Sequence, residues 1–291
     1  MKIYSKAAVK DSQIKDRKLK GSNFCEIHLT EETNNLSPEY IYSEFSKHNI
    51  CPTIVHSPFN NKNKKELGLG QPNQEFQEIL KKSINIAHYI STKINKKVYV
   101  IGHTASRSTT YESVDEFKEN FIKDLKYASD YISKNNLNVC VLVENHAAFN
   151  TINEKRIPFL YGISEDYIKD VNNLNLKHIG ILIDLCHYLG MRNYYKSINK
   201  EYLSLDEWFK LAGDKLRHIH FCGGYGFCDI TKNHGCVIEE GAYLEEIIKV
   251  IKDNNYKYDI TLEVLEKDID DAKNYKRQLD ILLNTNLDFK Y

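Results

Sequence analysis

The sequence predicts a single (β/α)8 TIM barrel, and three observations carry that reading. Short apolar, β-branched runs alternate with helical stretches throughout the 291 residues. Such runs, without polar alternation, are strands buried on both faces, as in a parallel sheet covered by helices. Several runs also end on an acid or a histidine: Val139–Val143 leads into Glu144, and Ile179–Ile183 into Asp184. Side chains at the C-terminal ends of barrel strands surround one pocket, where barrel enzymes keep their chemistry. No interior linker or low-complexity block divides the chain, so residues 1–291 read as one domain. The runner-up, an open doubly wound sheet, lacks the GxGxxG or Walker sequence that would follow its first strand.

Each element follows in order. Lys2–Tyr4 is a short first strand, followed by a polar helical segment over Asp11–Lys20. Asn23–Leu29 is the second strand and carries Glu26 and His28. Pro38 opens a helix to about His48, since proline suits a first helical turn. Cys51–His56 is the third strand, with a polar loop over Ser57–Pro72 and an amphipathic helix from Glu75 to Ile94. Lys97–His103 is the fourth. Ser113-Val-Asp-Glu116 is a capping box that starts a helix lasting to about Lys134. The fifth strand ends at Glu144, and Ser164 is placed to cap the short helix before the sixth. Ser204-Leu-Asp-Glu207 is a second capping box, leading into Trp208–Leu211. Arg217–Phe221 is the seventh strand, followed by a Gly- and Cys-containing segment over Cys222–Gly241 and a helix from Tyr243 to Asn254. Asp259–Glu263 is the eighth, and a last helix covers Ile269–Leu283.

Composition narrows the function classes. Forty basic and forty acidic residues cancel, which removes a bulk electrostatic argument for nucleic acid or an anionic membrane. No run approaches the roughly 20 apolar residues of a membrane span, and the first residues lack the apolar core of a signal peptide. Seven cysteines without a CxxC pair suit reduced thiols, so a cytoplasmic protein is expected.

The residues expected at one mouth are His56, His103, Glu144, Asp184, His187, His220 and Glu263, with His234 in the loop after the seventh strand. Neutral imidazoles and carboxylates suit Zn, Mn or Fe(II). Two histidines and a glutamate can hold one ion, and Asp, His and a second Glu another, with Glu144 bridging. Carboxylates packed together repel unless cations neutralise them. One to three divalent ions per chain are expected. Asp184 and Glu263 could instead cap the helices that follow. Glu26 and His28 either line the pocket or stabilise its rim; with Asn145 they are the candidate substrate contacts. His146 and His218 read as structural neighbours, although His218, two residues before His220, can share its face of the strand and support the ligands from behind; Trp208 reads as a packing residue. Cys222, Cys228 and Cys236 match no common zinc spacing and read as thiols without a metal.

These motifs resemble the xylose isomerase-like TIM-barrel superfamily, which includes AP endonuclease family 2 and sugar isomerases and epimerases. The resemblance covers nearly the whole chain. It rests on Val55-His-Ser-Pro58, Ile101-Gly-His103, Leu142-Val-Glu-Asn145, Ile183-Asp-Leu-Cys-His187, Ile219-His-Phe221, His234 before Glu240-Gly241, and Thr261-Leu-Glu263. It implies that Glu144, Asp184, His220 and Glu263 are the four metal ligands shared across the superfamily. His56 and His103 correspond to the pair holding a neighbouring ion in the endonuclease IV group. His187 and His234 stand where that group holds a third ion, or where isomerases hold substrate. The chain departs from the endonuclease pattern at Lys232-Asn-His234, where that group has Asp-x-His; Asp229 is the available substitute. A likeness to multinuclear iron oxidases of peptides lies in Arg217–Gly226 and Asn233-His-Gly235, but that group has Asn where His187 stands.

Three activities remain open. In a metal-dependent isomerase or epimerase of a small sugar-like substrate, Glu144 and Glu263 exchange a carbon-bound proton as base and acid while His187 orients a substrate oxygen. In an endonuclease IV-type phosphodiester hydrolase, which would need DNA as partner, His56 and His103 support an additional ion. An iron-dependent oxidase would need a peptide substrate. A barrel that only binds a ligand is the non-enzymatic reading. Oligomeric state is not readable from the sequence.

Overall fold

The computed structural model describes residues 1–61, 63, 66–71, 75–105, 113–147, 149–152, 155–224 and 234–290. Its strands are β1 (Ile3–Ala8), β2 (Phe24–His28), β3 (Cys51–His56), β4 (Val98–Gly102), β5 (Val139–Glu144), β6 (Phe149–Ile152), β7 (Lys155–Pro158), β8 (Ile179–Asp184), β9 (Leu216–His220) and β10 (Asp259–Thr261). Eight of them close a barrel in the order β1-β10-β9-β8-β5-β4-β3-β2, each pair parallel. The remaining two, β6 and β7, form an antiparallel hairpin beyond β5. The helices are α1 (Asp11–Leu19), α2 (Pro38–Ser46), α3 (Glu75–Ile94), α4 (Val114–Lys134), α5 (Asp166–Leu174), α6 (Leu185–Ser197), α7 (Leu205–Ala212), α8 (Ala242–Asp253) and α9 (Lys273–Leu283). The (β/α)8 barrel expected from the sequence is therefore the fold.

Two hydrophobic layers hold it. The larger lies between strands and helices and includes Ile3, Val55, Val100, Val141, Ile181 and Ile219 on the strands, against Phe45, Ile84, Phe121 and Leu279 on the helices. The smaller fills the barrel interior with Tyr4, Ile54, Ile101, Cys140, Leu142 and Leu182. Side chains alternate along a strand, so the residue two positions on also points inward, one layer nearer the C-terminal mouth. Those residues are Lys6, His56, His103, Glu144 and Asp184.

The helix ends give the asparagine-rich composition a local role. Asn49, Asn95, Asn136, Asn175, Asn199 and Asn255 all adopt positive φ just after α2, α3, α4, α5, α6 and α8. Asparagine is the side chain best tolerated there after glycine.

Four expectations need correction. The first strand runs to Ala8, not Tyr4, and so brings Lys6 into the barrel. Ser164 is not the cap of α5: Glu165 holds that position, and the Ser164 hydroxyl donates to the Asp166 carboxylate. The last helix starts at Lys273, not Ile269, because the chain from Glu263 first crosses the mouth. The β6–β7 hairpin was not anticipated; strands of four residues give little periodic signal. Ser204 and Glu207 do form the expected reciprocal capping box. No helix among the described residues is long and apolar enough to cross a membrane.

Candidate metal centre

The barrel register lines up the acids and histidines. Asp184 pairs with His220 across β8 and β9, and Thr261 with His220 across β10 and β9, which leaves Glu263 just beyond the end of β10. His220 is the hub. Its Nδ1 lies 2.5 Å from Glu263 Oε2, 3.1 Å from Glu144 Oε1 and 3.7 Å from Asp184 Oδ2. One donor atom from each of Glu144, Asp184, His220 and Glu263 falls within 4.8 Å of all the others. The opposite nitrogen, Nε2, meets Glu26 Oε2 at 2.9 Å.

A second group adjoins the first through Glu144. His56 Nε2 and His103 Nε2 lie 3.0 Å apart, and Glu144 Oε2 is 3.8 Å from one and 3.2 Å from the other. The His56 Nδ1–H donates to the Ser57 carbonyl at 2.9 Å, which leaves a lone pair on Nε2. Burial lowers the pKa of both rings, helped by Lys6 at His56 and by His56 at His103, so both are neutral imidazoles. A third group joins Asp184, His187 and His234. The His187 Nδ1–H donates to the Asn145 carbonyl at 2.8 Å, and the His187 backbone N–H donates to Asp184 Oδ1 at 2.7 Å. Asp184 thus caps α6 with one oxygen and turns the other towards His220.

The charges at this mouth do not balance. Among the described residues, Glu26, Glu144, Asp184 and Glu263 gather around the charged Lys6 and His220, so full ionisation leaves two negative charges that these two cations do not compensate. Burial works to lower the His220 pKa, but Glu26, Glu263 and Glu144 together lift it well above the ordinary histidine range. Burial likewise works against ionised Glu263 and Glu144, and the cations prevail: Lys6 and His220 hold Glu263 low, and His220 holds Glu144 low. Asp184 goes the other way, pushed up first by burial. Glu144 Oε2 and His187 Nε2 are buried and accept no hydrogen bond among the described residues. A buried acceptor left without a donor is costly, and divalent ions held by these adjoining groups would satisfy them. By that test the residues fit a metal.

All the expected ligands therefore lie in one cluster at the C-terminal mouth. Two expected substrate contacts face elsewhere. Asn145 is 1% exposed, and its amide is committed to the Asp184 main chain: Nδ2–H donates to the carbonyl at 3.0 Å, and Oδ1 accepts the backbone N–H at 2.6 Å. Glu26 is fully buried behind His220, next to Lys6. The third, His28, does line a cavity of about 390 Å3 with Lys6, His234, Glu263, Leu265 and Ile269. Its pKa falls to about 3 through burial and then Lys6. His218 donates to or accepts from Thr261 Oγ1 at 2.8 Å and packs on Tyr4. His146 stacks on Phe159 close to His103 and His187.

Sequence reading missed Lys6, whose Nζ lies 2.7 Å from Glu263 and 3.3 Å from Glu26. Its signal was position: it stands two residues after the inward-facing Tyr4. Asp229 and Cys228 lie outside the described residues, as does part of the stretch that resembles the iron oxidases.

A closed parallel barrel with a polar cluster at the C-terminal ends of its strands is the architecture of the TIM-barrel enzymes. The model of the xylose isomerase-like TIM-barrel family matches residues 21–285, and the chain belongs to that family. Among solved structures, the fold is similar to the 3-keto-D-glucoside 4-epimerase of E. coli, with TM-score 0.66 and 15% identity over 98% of this chain and 100% of that one. It is also similar to the D-psicose 3-epimerase of Clostridium cellulolyticum H10, with TM-score 0.65 and 14% identity over 96% and 97%. AP endonuclease family 2 from Brucella melitensis gives TM-score 0.62 and 14% identity over 92% and 94%. No curated protein matches the sequence.

Proposed function

We propose that this protein is a divalent-metal-dependent isomerase or epimerase of a small sugar-like substrate. The observation that carries the reading is the placement of Glu144 and Glu263 around His220 Nδ1, at 3.1 and 2.5 Å, with Asp184 completing the set. Glu144, Asp184, His220 and Glu263 would hold the ion, which supplies Lewis acidity to adjacent substrate oxygens and so acidifies the carbon-bound proton between them. Glu144 and Glu263 come from well-separated strands, β5 and just beyond the end of β10, and converge on the same His220 nitrogen. One removes the proton and the other returns it, which changes configuration or moves a carbonyl. Lys6 holds the second oxygen of Glu263, and His28 and His187 face the same mouth. Solved structures of similar fold are in large part sugar epimerases, which agrees with this reading.

A specific observation favours a second reading. The His56–His103–Glu144 group exceeds what one ion requires, and a second ion there suits phosphodiester hydrolysis on DNA. The two are separated by incubating zinc- and manganese-loaded protein with ketohexoses and 3-ketoglucosides in deuterated water. Exchange of one carbon-bound proton, lost in Glu263→Gln, is the expected result. Cleavage of abasic-site DNA without any exchange would replace the isomerase reading with the hydrolase.

A further inference from the structure

Two cysteines stand where the register of the metal cluster places them side by side. Asp184 and His220 are paired across β8 and β9. Two residues beyond each stands a cysteine, Cys186 at the start of α6 and Cys222 just past β9. Both thiols and Asp184 are fully buried. Cys222 Sγ donates to Asp184 Oδ2 at 3.4 Å, and one donor atom from each of Asp184, Cys186 and Cys222 lies within 4.8 Å of the other two. The sequence had grouped Cys222 with Cys228 and Cys236; the barrel pairs it with Cys186 instead.

We propose that Asp184, Cys186 and Cys222 form a further binding site, adjoining the first through Asp184, for a soft, thiophilic ion of the Zn(II), Cd(II) or Cu(I) class. Two sulfur donors and a single carboxylate select such ions over Mn(II) or Mg(II), which prefer oxygen. The group beside it, made of three carboxylates and one imidazole, has the harder preference. Asp184 Oδ1 is occupied by the His187 backbone N–H, so Oδ2 is the donor common to both groups, 3.4 Å from Cys222 Sγ and 3.7 Å from His220 Nδ1. The two thiols release their protons to solvent as the ion binds. This inference does not depend on the isomerase reading: it needs only the barrel register and the side chains named.

The test is spectroscopic and uses no substrate. Reduced full-length protein, stripped of metal, is titrated with Cd(II) while the ultraviolet thiolate-to-metal charge-transfer band is followed. The band is expected to grow and saturate in the native protein, and to be lost in Cys186→Ser/Cys222→Ser together with one bound ion. X-ray absorption on the zinc-loaded native protein should show zinc–sulfur scattering at about 2.3 Å. That measurement decides the matter even if the double variant does not fold. A native protein without the band or the sulfur shell overturns the proposal. So does a band that persists in the folded double variant, since another thiol, such as Cys236, would then be the ligand.

Discussion

Glu26 Oε2 lies 2.9 Å from His220 Nε2, and this contact determines which imidazole nitrogen faces the mouth. With Nε2–H donated to a buried carboxylate, Nδ1 is turned towards Glu144, Asp184 and Glu263. A carboxylate behind a ligating histidine fixes its tautomer and raises its basicity. Glu26 itself is held ionised against the penalty of burial by His220 and then Lys6. It thus stands behind the candidate ligand His220, a placement its strand position alone did not reveal.

Removing the charge at that contact should weaken the centre without removing any ligand. Glu26→Gln is expected to lower metal affinity by about 10–100-fold, the usual effect of losing such a partner. Competition against a chromophoric chelator measures it. Unchanged affinity would mean that His220 is not a ligand or that its orientation is set by packing alone.

Elemental analysis of protein purified without added metal separates the two groups that share Glu144. Glu144→Ala should empty both, because its two oxygens face different sets of ligands. His103→Ala should remove only the ion beside His56. Full retention of metal in Glu144→Ala would contradict the shared-carboxylate arrangement and both proposed activities with it.

Asn145→Ala should destabilise the fold near the centre. The Asn145 amide satisfies both the N–H and the carbonyl of Asp184, at 2.6 and 3.0 Å, in a buried position. Abandoning a buried backbone group costs about 1–3 kcal/mol, so a loss of that order per group is expected in urea unfolding. A variant as stable as the native protein would show that water or a neighbour replaces the amide.

The barrel was legible because period-two burial on both faces leaves an apolar run whatever the side chains around it. The candidate ligands were legible because a carboxylate or imidazole at the end of such a run violates the core pattern. Lys6 was not, since Ser5 and Ala7 around it blur the strand, and its partners Glu26 and Glu263 are far away in sequence. The main-chain role of Asn145 was hidden for a related reason. A polar residue beside a ligand suggests substrate, and only the three-dimensional register shows its amide bound to the main chain of the neighbouring strand. The Cys186–Cys222 pair likewise depends on β8 and β9 being neighbours, which no spacing along the chain encodes.

His218 offers a test through pH. It is buried in the barrel beneath His220, and burial, followed by the charge on His220, lowers its pKa to about 3 from the ordinary 6.5. Between those two values the unfolded chain binds a proton that the folded chain does not. Stability therefore rises with pH across this window, is fully present above 6.5, and is lost progressively as the pH falls towards 3. One proton corresponds to about 1.4 kcal/mol per pH unit. His28, also held near 3, adds to the same slope, so the native protein should show a steep dependence. His218→Gln keeps a donor for Thr261 Oγ1 but cannot titrate, and should reduce the slope by up to about one proton in urea unfolding followed from pH 4 to 7. An unchanged slope would mean that His218 charges in the folded barrel, which requires a water or a carboxylate within reach of its second nitrogen.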